Sequence, residues 1–550
     1  MSRAARQPLL SEWPADKRLP VLDTTIGSLL RKAALAAPQS VALVDGSATG
    51  SRRRWTYAQL LEAAEQLGTG LLARFAPGER IALWAPNSPE WVVFEYGAAL
   101  AGITLVTVNP AFKTKELEFV LRQSNAAGIC YVEEHRGNPM QRWLDEVRPG
   151  LADLREVLPL IGWETWAPPT TEDLPHSSPA FPSVTADDVA MIVYTSGTTG
   201  VPKGAMLHHR GITNNMRFHA IRLKMGGGDV FVSPIPLFHV GGACMAALTA
   251  LAAGAALVLL DTFNPDLTLE LIETERATAM IGVPTMFIDV LSRLEASGRD
   301  VSSMRLIMIG GAPSSPDLIR QLEYSFAASV RNSYGQTESA SIICATEEGD
   351  SPEDVAETVG RAFPQVELKI VDRRGATVAR GGPGELWARG YQVMAGYFRL
   401  EAQTAEAVDG DGWLHTGDVC TMDERGYVRV VGRVKEMIIR GGENLFPKEI
   451  EEAVRAHPGV LDVAVVGVPD ARLGEVVAAF VRTAPGAAVN GHELTASLRS
   501  LLSREKVPEH WRFVESFPLT ASGKVQKHEL RKMFVEESRV RSHTGKAGNP

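Results

Sequence analysis

The stretch MIVYTSGTTGVPKG (Met191–Gly204) decides how the chain is read. An apolar run, Val189–Tyr194, has the length and the β-branched content of a buried strand. It leads without a break into Thr195, Ser196, Gly197, Thr198, Thr199 and Gly200, and then to Lys203 and Gly204. Glycines let successive backbone N–H groups turn toward one point, the Thr and Ser hydroxyls add donors, and Lys203 adds a positive charge. Together these suit a polyphosphate. The spacing is not the P-loop's GxxxxGK[ST], because Pro202 stands five residues after Gly197. A solvated Ser/Thr/Gly turn between strand and helix is the competing reading; the buried strand before the run and the Pro-Lys-Gly after it favour phosphate.

Upstream of this loop, helical and strand patterns alternate. Ile26, Leu29, Leu30 and Ala33 recur at helical spacing and stop before Pro38. Thr56 and Gln59 form a capping-box pattern that opens a helix with Leu60, Ala64, Leu67 and Leu71 on one face. Then come a strand (Arg80–Trp84), a helix (Pro89–Ala101), a strand (Thr104–Val108), a helix (Lys115–Ser124) and a strand (Ile129–Val132). That order predicts a parallel sheet with helices on both faces. The polar, Pro-rich stretch Ala167–Asp188 reads as a linker or surface excursion. Downstream, Ala255–Leu260, Ala279–Val283 and Leu306–Ile309 read as interior strands.

From about Val366 the strands shorten and the turns become Gly-rich (VELKIVD, GELWARG, YVRVVGR), which predicts a more antiparallel subdomain. The last part has its own pattern: helix Pro447–Ala456, strands Val463–Val468 and Val476–Arg482, helix Gly491–Ser503 and strand His510–Val514. The fold class is therefore α/β. A large body of several subdomains has mostly parallel sheets flanked by helices and a small β-barrel-like subdomain; a small α+β lobe follows it.

At 550 residues the chain has room for two to four folding units of roughly 100–200 residues each. Its net charge of −9 provides no general attraction for nucleic acid or an anionic membrane. Cys130, Cys244, Cys344 and Cys420 are scattered with no CxxC pair, which excludes a disulfide framework and a Cys-based zinc knuckle and suits a reducing compartment. The uncharged stretch Val240–Leu260 is long enough to span a bilayer, but Gly241, Gly242, Thr249 and Gly254 interrupt it and no basic residues flank it. It reads instead as a buried helix over about Gly242–Ala253, a stop at Gly254 and a core strand. No secretory signal is readable at the N-terminus, so a cytoplasmic protein without stable membrane insertion is expected.

YTSGTTGVPKG resembles the signature of the adenylate-forming superfamily, which includes acyl-CoA synthetases, nonribosomal-peptide adenylation domains and luciferases. Six further motifs follow in that superfamily's order: PLFHVGG (Pro236–Gly242), SYGQTES (Ser333–Ser339), GELWARGYQVMAGYF (Gly384–Phe398), GWLHTGD (Gly412–Asp418), GRVKEMIIRGGENLFPKEIE (Gly432–Glu451) and PLTASGKVQK (Pro518–Lys527). The resemblance implies a two-step reaction. A carboxylate attacks the α-phosphorus of ATP to give an acyl-adenylate and pyrophosphate, and a thiol then displaces AMP. It also implies a body over 1–432, a hinge over 433–435 and a mobile lobe over 436–550.

The resemblance assigns roles position by position. Thr195–Gly200 and Lys203 would hold the β- and γ-phosphates, Thr337 the α-phosphate and Glu338 Mg²⁺. Asp418 would take both ribose hydroxyls with Arg433 as its partner, although a plain Asp–Arg ion pair explains those two residues equally well from sequence. Gly310, Gly311 and Ala312 would let the adenine approach backbone, with Tyr334 on its other face and Ser333 and Gly335 beside it. Lys524 would reach the α-phosphate and the acyl carboxylate in the first step. Lys435 would be the pivot, and Gly441 and Gly442 would line a channel for the pantetheine arm of coenzyme A. Lys527 stands where an Arg is commoner, keeping the charge without the fork geometry.

Relatives that activate amino acids place an Asp just after the Phe of PLFHVGG, because a buried ammonium needs a carboxylate partner. Here His239 and Val240 follow Phe238, so an uncharged acyl tail is favoured, with His239 as a gate between the acyl and pantetheine channels or as a packing residue. NPAFKTKELEFVL (Asn109–Leu121) resembles the medium- and long-chain fatty acyl-CoA synthetase branch. An aryl acid also fits an apolar pocket. Only 20 residues follow Leu530, too few for a carrier-protein domain, which favours coenzyme A over a stand-alone enzyme that loads a carrier. The expected partners are a small carboxylic acid, ATP and coenzyme A; a homodimer is left open.

Overall fold

Strands that are apolar on both sides have no face to show to water, and four of them form the middle of a seven-stranded sheet. The computed structural model describes residues 9–47, 52–167, 181–195, 202–312, 314–441, 443–484, 486–519 and 525–544. In that sheet Val189–Thr195, Thr104–Val108, Arg80–Trp84 and Gly128–Tyr131 lie side by side and parallel. Helix Pro89–Ala101 packs on the sheet and is buried along its whole length, consistent with apolar residues on every side of it apart from Glu90 and Glu95. Ser88 caps its start by accepting from the Trp91 N–H, and Gly102 closes it at φ 67°. The capping box expected at Thr56 and Gln59 is made, and it opens helix Tyr57–Leu72.

A second sheet has nine strands, six of them parallel: Ser329–Tyr334, Leu306–Gly310, Ala279–Gly282, Val230–Ser233, Ala256–Leu259 and Val41–Asp45. The expected antiparallel subdomain is a five-stranded sheet in the order Glu12–Trp13, Glu367–Val371, Gly384–Arg389, Leu414–Met422 and Val428–Arg433. Its first and last strands are not paired with each other among the described residues, so its hydrogen bonding is that of an open sheet. A fourth sheet is built on the long hairpin Val460–Asp470 and Gly474–Thr483, with separate apolar cores on its two faces.

Two local expectations change. The stretch after Lys203 is strand Lys203–His208, antiparallel to Val189–Thr195 with Thr195 opposite Lys203, and the helix begins only at His209. The loop therefore joins two strands and has no helix N-terminus behind it. The helix expected over Gly242–Ala253 starts at Gly241 with wide π turns to Leu248, continues as α-helix Thr249–Ala253 and stops at Gly254 (φ 70°) before strand Ala256–Leu259. A Cβ on Gly242 would sit 2.2 Å from the Pro236 carbonyl oxygen, so the tight approach of these two segments needs glycine. Among the described residues no helix is long and apolar enough to cross a membrane.

Candidate active site

The candidate site lies where the strands Leu306–Gly310 and Ser329–Tyr334 end, the usual place for a ligand in an open α/β sheet. Gly310 ends one strand and pairs in register with Ser333 of the next, just before Tyr334. A Cβ on Gly310 would approach the Ser333 carbonyl oxygen to 3.0 Å, and Gly311 adopts φ 76°, which L side chains rarely take. Gly311 and Ala312 are exposed, so this edge is bare backbone open to a flat ring.

Asp418 is the buried acid of the site, 4% exposed. Its strand pairs with Val428–Arg433 so that Asp418 lies directly opposite Arg433. Arg433 Nε donates to Asp418 Oδ1 at 2.9 Å, and the Tyr334 hydroxyl donates to Oδ2 at 2.6 Å. Burial and then the Asp418 charge push the Tyr334 hydroxyl well above its ordinary range, so it remains a donor. Burial opposes the Arg433 charge, but Asp418, Glu436 and Tyr334 together outweigh it and raise that group. Each carboxylate oxygen keeps a second lone pair, so Asp418 can still accept two hydroxyls. The Asp–Arg ion pair considered from sequence is present; the Tyr334 bond was not foreseen.

The chain then turns through Gly335, where a Cβ would lie 1.9 Å from the Ser341 carbonyl oxygen, into the 3₁₀ turn Thr337–Ser339. Thr337 is buried and Glu338 partly so. The Tyr397 hydroxyl donates to Glu338 Oε1 at 2.6 Å, and the Met394 N–H donates to the Glu338 carbonyl at 2.9 Å. Lys203 Nζ lies 4.1 Å from the Tyr397 ring centroid. Burial draws the Lys203 ammonium below its ordinary range while Glu338 opposes that shift. Two sets of contacts, Lys203–Tyr397–Glu338 and Tyr334–Asp418–Arg433, are thus joined by the short chain segment from Tyr334 to Glu338.

Among the described residues there is no group of three or more His, Cys, Asp and Glu placed to hold a metal ion. Glu338 alone fits Mg²⁺, which favours one or two carboxylates completed by phosphate oxygens and water. His239 is partly exposed at the entrance to the π-helical segment, and its Nδ1 accepts from the Gly241 N–H at 3.1 Å. A neutral ring then carries its proton on Nε2. Gly441 turns at φ 58° between strands Ile438–Arg440 and Glu443–Leu445, its N–H bonded to the Leu473 carbonyl at 2.8 Å. Ser196, Gly197, Thr198, Thr199, Gly200, Gly442 and Lys524 lie outside the described residues.

Beyond Arg433 a 3₁₀ turn spans Val434–Glu436. Lys527 Nζ binds Glu436 at 2.9 Å and Glu451 at 2.8 Å, so the unexpected lysine makes two ion pairs. Bonds between the side of the antiparallel sheet and the last part of the chain include Lys448 Nζ to the Val430 carbonyl at 2.6 Å and Arg373 Nη2 to Asn444 Oδ1 at 2.8 Å. Tyr397 had no role in the sequence reading. Its only signal was a buried-looking aromatic after a glycine at the end of GELWARGYQVMAGYF.

Residues 30–398 match the family described as AMP-binding enzyme, and residues 449–524 match the AMP-binding enzyme C-terminal domain. The chain is 37% identical over 540 residues to medium-chain acyl-CoA ligase ACSF2, mitochondrial, of Homo sapiens, covering 93% of this chain and 87% of that one. Among solved structures it superposes on ATP-bound MatB from Rhodopseudomonas palustris with TM-score 0.83 at 30% identity, covering 93% and 99% of the two chains. It superposes on the anthranilate CoA ligase AuaEII in complex with anthranoyl-AMP with TM-score 0.82 at 25% identity, covering 94% and 98%.

Gly335→Ala tests the turn that carries Thr337 and Glu338. Because a methyl group there overlaps the Ser341 carbonyl, the turn must shift, and nucleotide affinity by calorimetry is expected to fall at least about tenfold. Wild-type affinity in a folded variant would remove Thr337 and Glu338 from the site.

Proposed function

Because the chain belongs to the AMP-binding enzyme family, we propose that it ligates a medium- or long-chain aliphatic acid to coenzyme A through an acyl-adenylate. The observation that supports this reading is that Lys203–Tyr397–Glu338 and Tyr334–Asp418–Arg433 are two sets of contacts joined by the five-residue segment Tyr334–Glu338. In the first step a carboxylate oxygen bonds to the α-phosphorus of ATP while the bond to pyrophosphate breaks. Both reactants are anions, so alignment and charge neutralisation are what the protein must supply.

Asp418 takes the ribose hydroxyls and Arg433 holds its carboxylate in place. Gly310, Gly311 and Ala312 give the adenine a backbone edge, Tyr334 its other face, and Ser333 and Gly335 the flanks. Thr337 meets the α-phosphate; Thr195–Gly200 and Lys203 meet the β- and γ-phosphates. Glu338 would hold Mg²⁺, whose charge offsets that of the phosphates when it is bound. Lys524, from the mobile lobe (436–550), bridges the α-phosphate and the incoming carboxylate. In the second step the coenzyme A sulfur bonds to the acyl carbon, the bond to AMP breaks and the thiol proton passes to water. Rotation about the hinge (433–435) replaces Lys524 with the Gly441–Gly442 turn, which lines the pantetheine channel, and His239 gates the acyl channel.

The acyl tail is uncharged on this reading. No acid follows Phe238, and Glu95, fully buried in helix Pro89–Ala101, is pushed by burial well above the carboxylate range and so favours its neutral form. The Tyr96 hydroxyl beside it reaches the Ala247 carbonyl at 3.4 Å, which ties that helix to the segment after His239. The ACSF2 relative is named for medium-chain acids. The likeness to AuaEII supports an aryl acid as the second reading. We place the protein in the cytoplasm on its four unpaired, buried cysteines, while the ACSF2 relative is named as mitochondrial.

Assayed over straight-chain acids of graded length beside benzoates, coenzyme A-dependent AMP release is expected to peak on aliphatic acids; a peak on benzoates would favour the aryl reading. AMP release that required an added carrier protein would overturn the choice of coenzyme A. Lys524→Ala is expected to slow adenylate formation about a hundredfold or more while sparing thioester formation from supplied acyl-adenylate. Equal loss in both half-reactions would contradict that role. Lys435→Pro is expected to slow the second half-reaction selectively, about tenfold, in single-turnover measurements. Unchanged thioester formation would place the pivot elsewhere.

A further inference from the structure

Lys203 and Glu338 carry opposite charges in one cleft, and two such groups attract each other when nothing intervenes. An ion pair between them would occupy both the ammonium that phosphate needs and the carboxylate that a cation needs. Among the described residues they do not form that pair; Tyr397 stands between them, its ring under the ammonium and its hydroxyl on the carboxylate. We propose that Tyr397 is a positioning residue that keeps the phosphate-binding lysine and the metal-binding glutamate from neutralising each other, so that each meets its own part of a metal–nucleotide substrate. The inference rests on the roles given above to Lys203 and Glu338.

A phenol suits the task because its face attracts a cation and its edge carries a donor for an anion. It is also firmly held. Tyr397 is 5% exposed and pairs with Ala205, two residues after Lys203, in an antiparallel bridge. Its backbone N–H donates to Thr404 Oγ1 at 2.8 Å. Gly396 before it adopts φ 137°, and a Cβ there would come within 2.8 Å of Thr404 Cγ2, so the Gly-Tyr order in the sequence has a steric cause. The Tyr397 hydroxyl is aimed at Glu338 and donates to Oε1 at 2.6 Å. Lys435 and Glu406 also act on Lys203, one against its charge and one in favour, and neither stands between it and Glu338 in the contacts of Tyr397.

Two substitutions separate the two contacts. Tyr397→Phe keeps the ring under Lys203 and removes the donor to Glu338; Tyr397→Leu removes both. Binding is measured on the full chain without acid or coenzyme A, so no turnover occurs. Calorimetry reads ATP in EDTA, and electron paramagnetic resonance reads Mn²⁺ in the presence of ATP. Tyr397→Leu is expected to weaken metal-free ATP about tenfold, because Lys203 turns to Glu338. Adding Lys203→Met to that variant should cost less than about twofold more, against about tenfold for Lys203→Met in the wild-type background. Tyr397→Phe is expected to bind metal-free ATP within about twofold of wild type and Mn²⁺ several-fold more weakly. Additive losses for the Leu and Met substitutions, or equal losses with and without metal for the Phe variant, would overturn the proposal, as would variants indistinguishable from wild type. Wild-type protein that took up no Mn²⁺ with ATP would instead overturn the roles of Lys203 and Glu338, and this proposal with them.

Discussion

A carboxylate that is almost wholly buried must find partners, and Asp418 finds them on two different elements. The Tyr334 hydroxyl comes from the end of a strand in the nine-stranded sheet, and the Arg433 guanidinium from the last residue of the five-stranded one. Neither sheet supplies the complete arrangement alone. The pairing therefore fixes how the two sheets meet along the cleft, and it also fixes the residue from which the chain leaves for its last part. Removing either partner would leave a buried charge short of a hydrogen bond, a cost of about 1–3 kcal/mol or more.

The framework was largely legible because its strands are buried on both faces. Arg80–Trp84, Pro89–Ala101 and Thr104–Val108 end where their apolar runs end. Such segments are bounded by their own glycines, prolines and caps and need no distant residue to define them. The strand that opens at Lys203 was not legible, since Lys203–His208 begins at a charged residue and owes its pairing to Val189–Thr195. The π turns after His239 likewise depend on the close approach of Gly242 to Pro236, which no local pattern announces.

In the site the division was similar. Residues in tight motifs, such as Asp418 and Arg433, could be paired in advance, because both ends of one antiparallel pair were in recognisable stretches. Tyr397 could not, because its value lies in what it separates. A side chain that holds two charges apart makes no motif with either: Lys203 is 194 positions before it and Glu338 59 before it. Only the folded chain shows that one ring serves both.

The same kind of charge pairing brackets the connection to the last part of the chain. Arg433 is held on one side by Asp418, and Glu436 on the other by Lys527, which is tied in turn to Glu451 of the helix Pro447–Arg455. Val434 and Lys435 are the only residues between these two anchors. Ion pairs at both ends resist bending where they act, so a change of direction is cheapest at the two residues they enclose. Burial alone would lower the Lys527 ammonium, and the two carboxylates more than offset it, so that the charge persists. A lysine suffices there in place of an arginine because its compact head reaches two separate carboxylates at once, where a planar fork would favour gripping one.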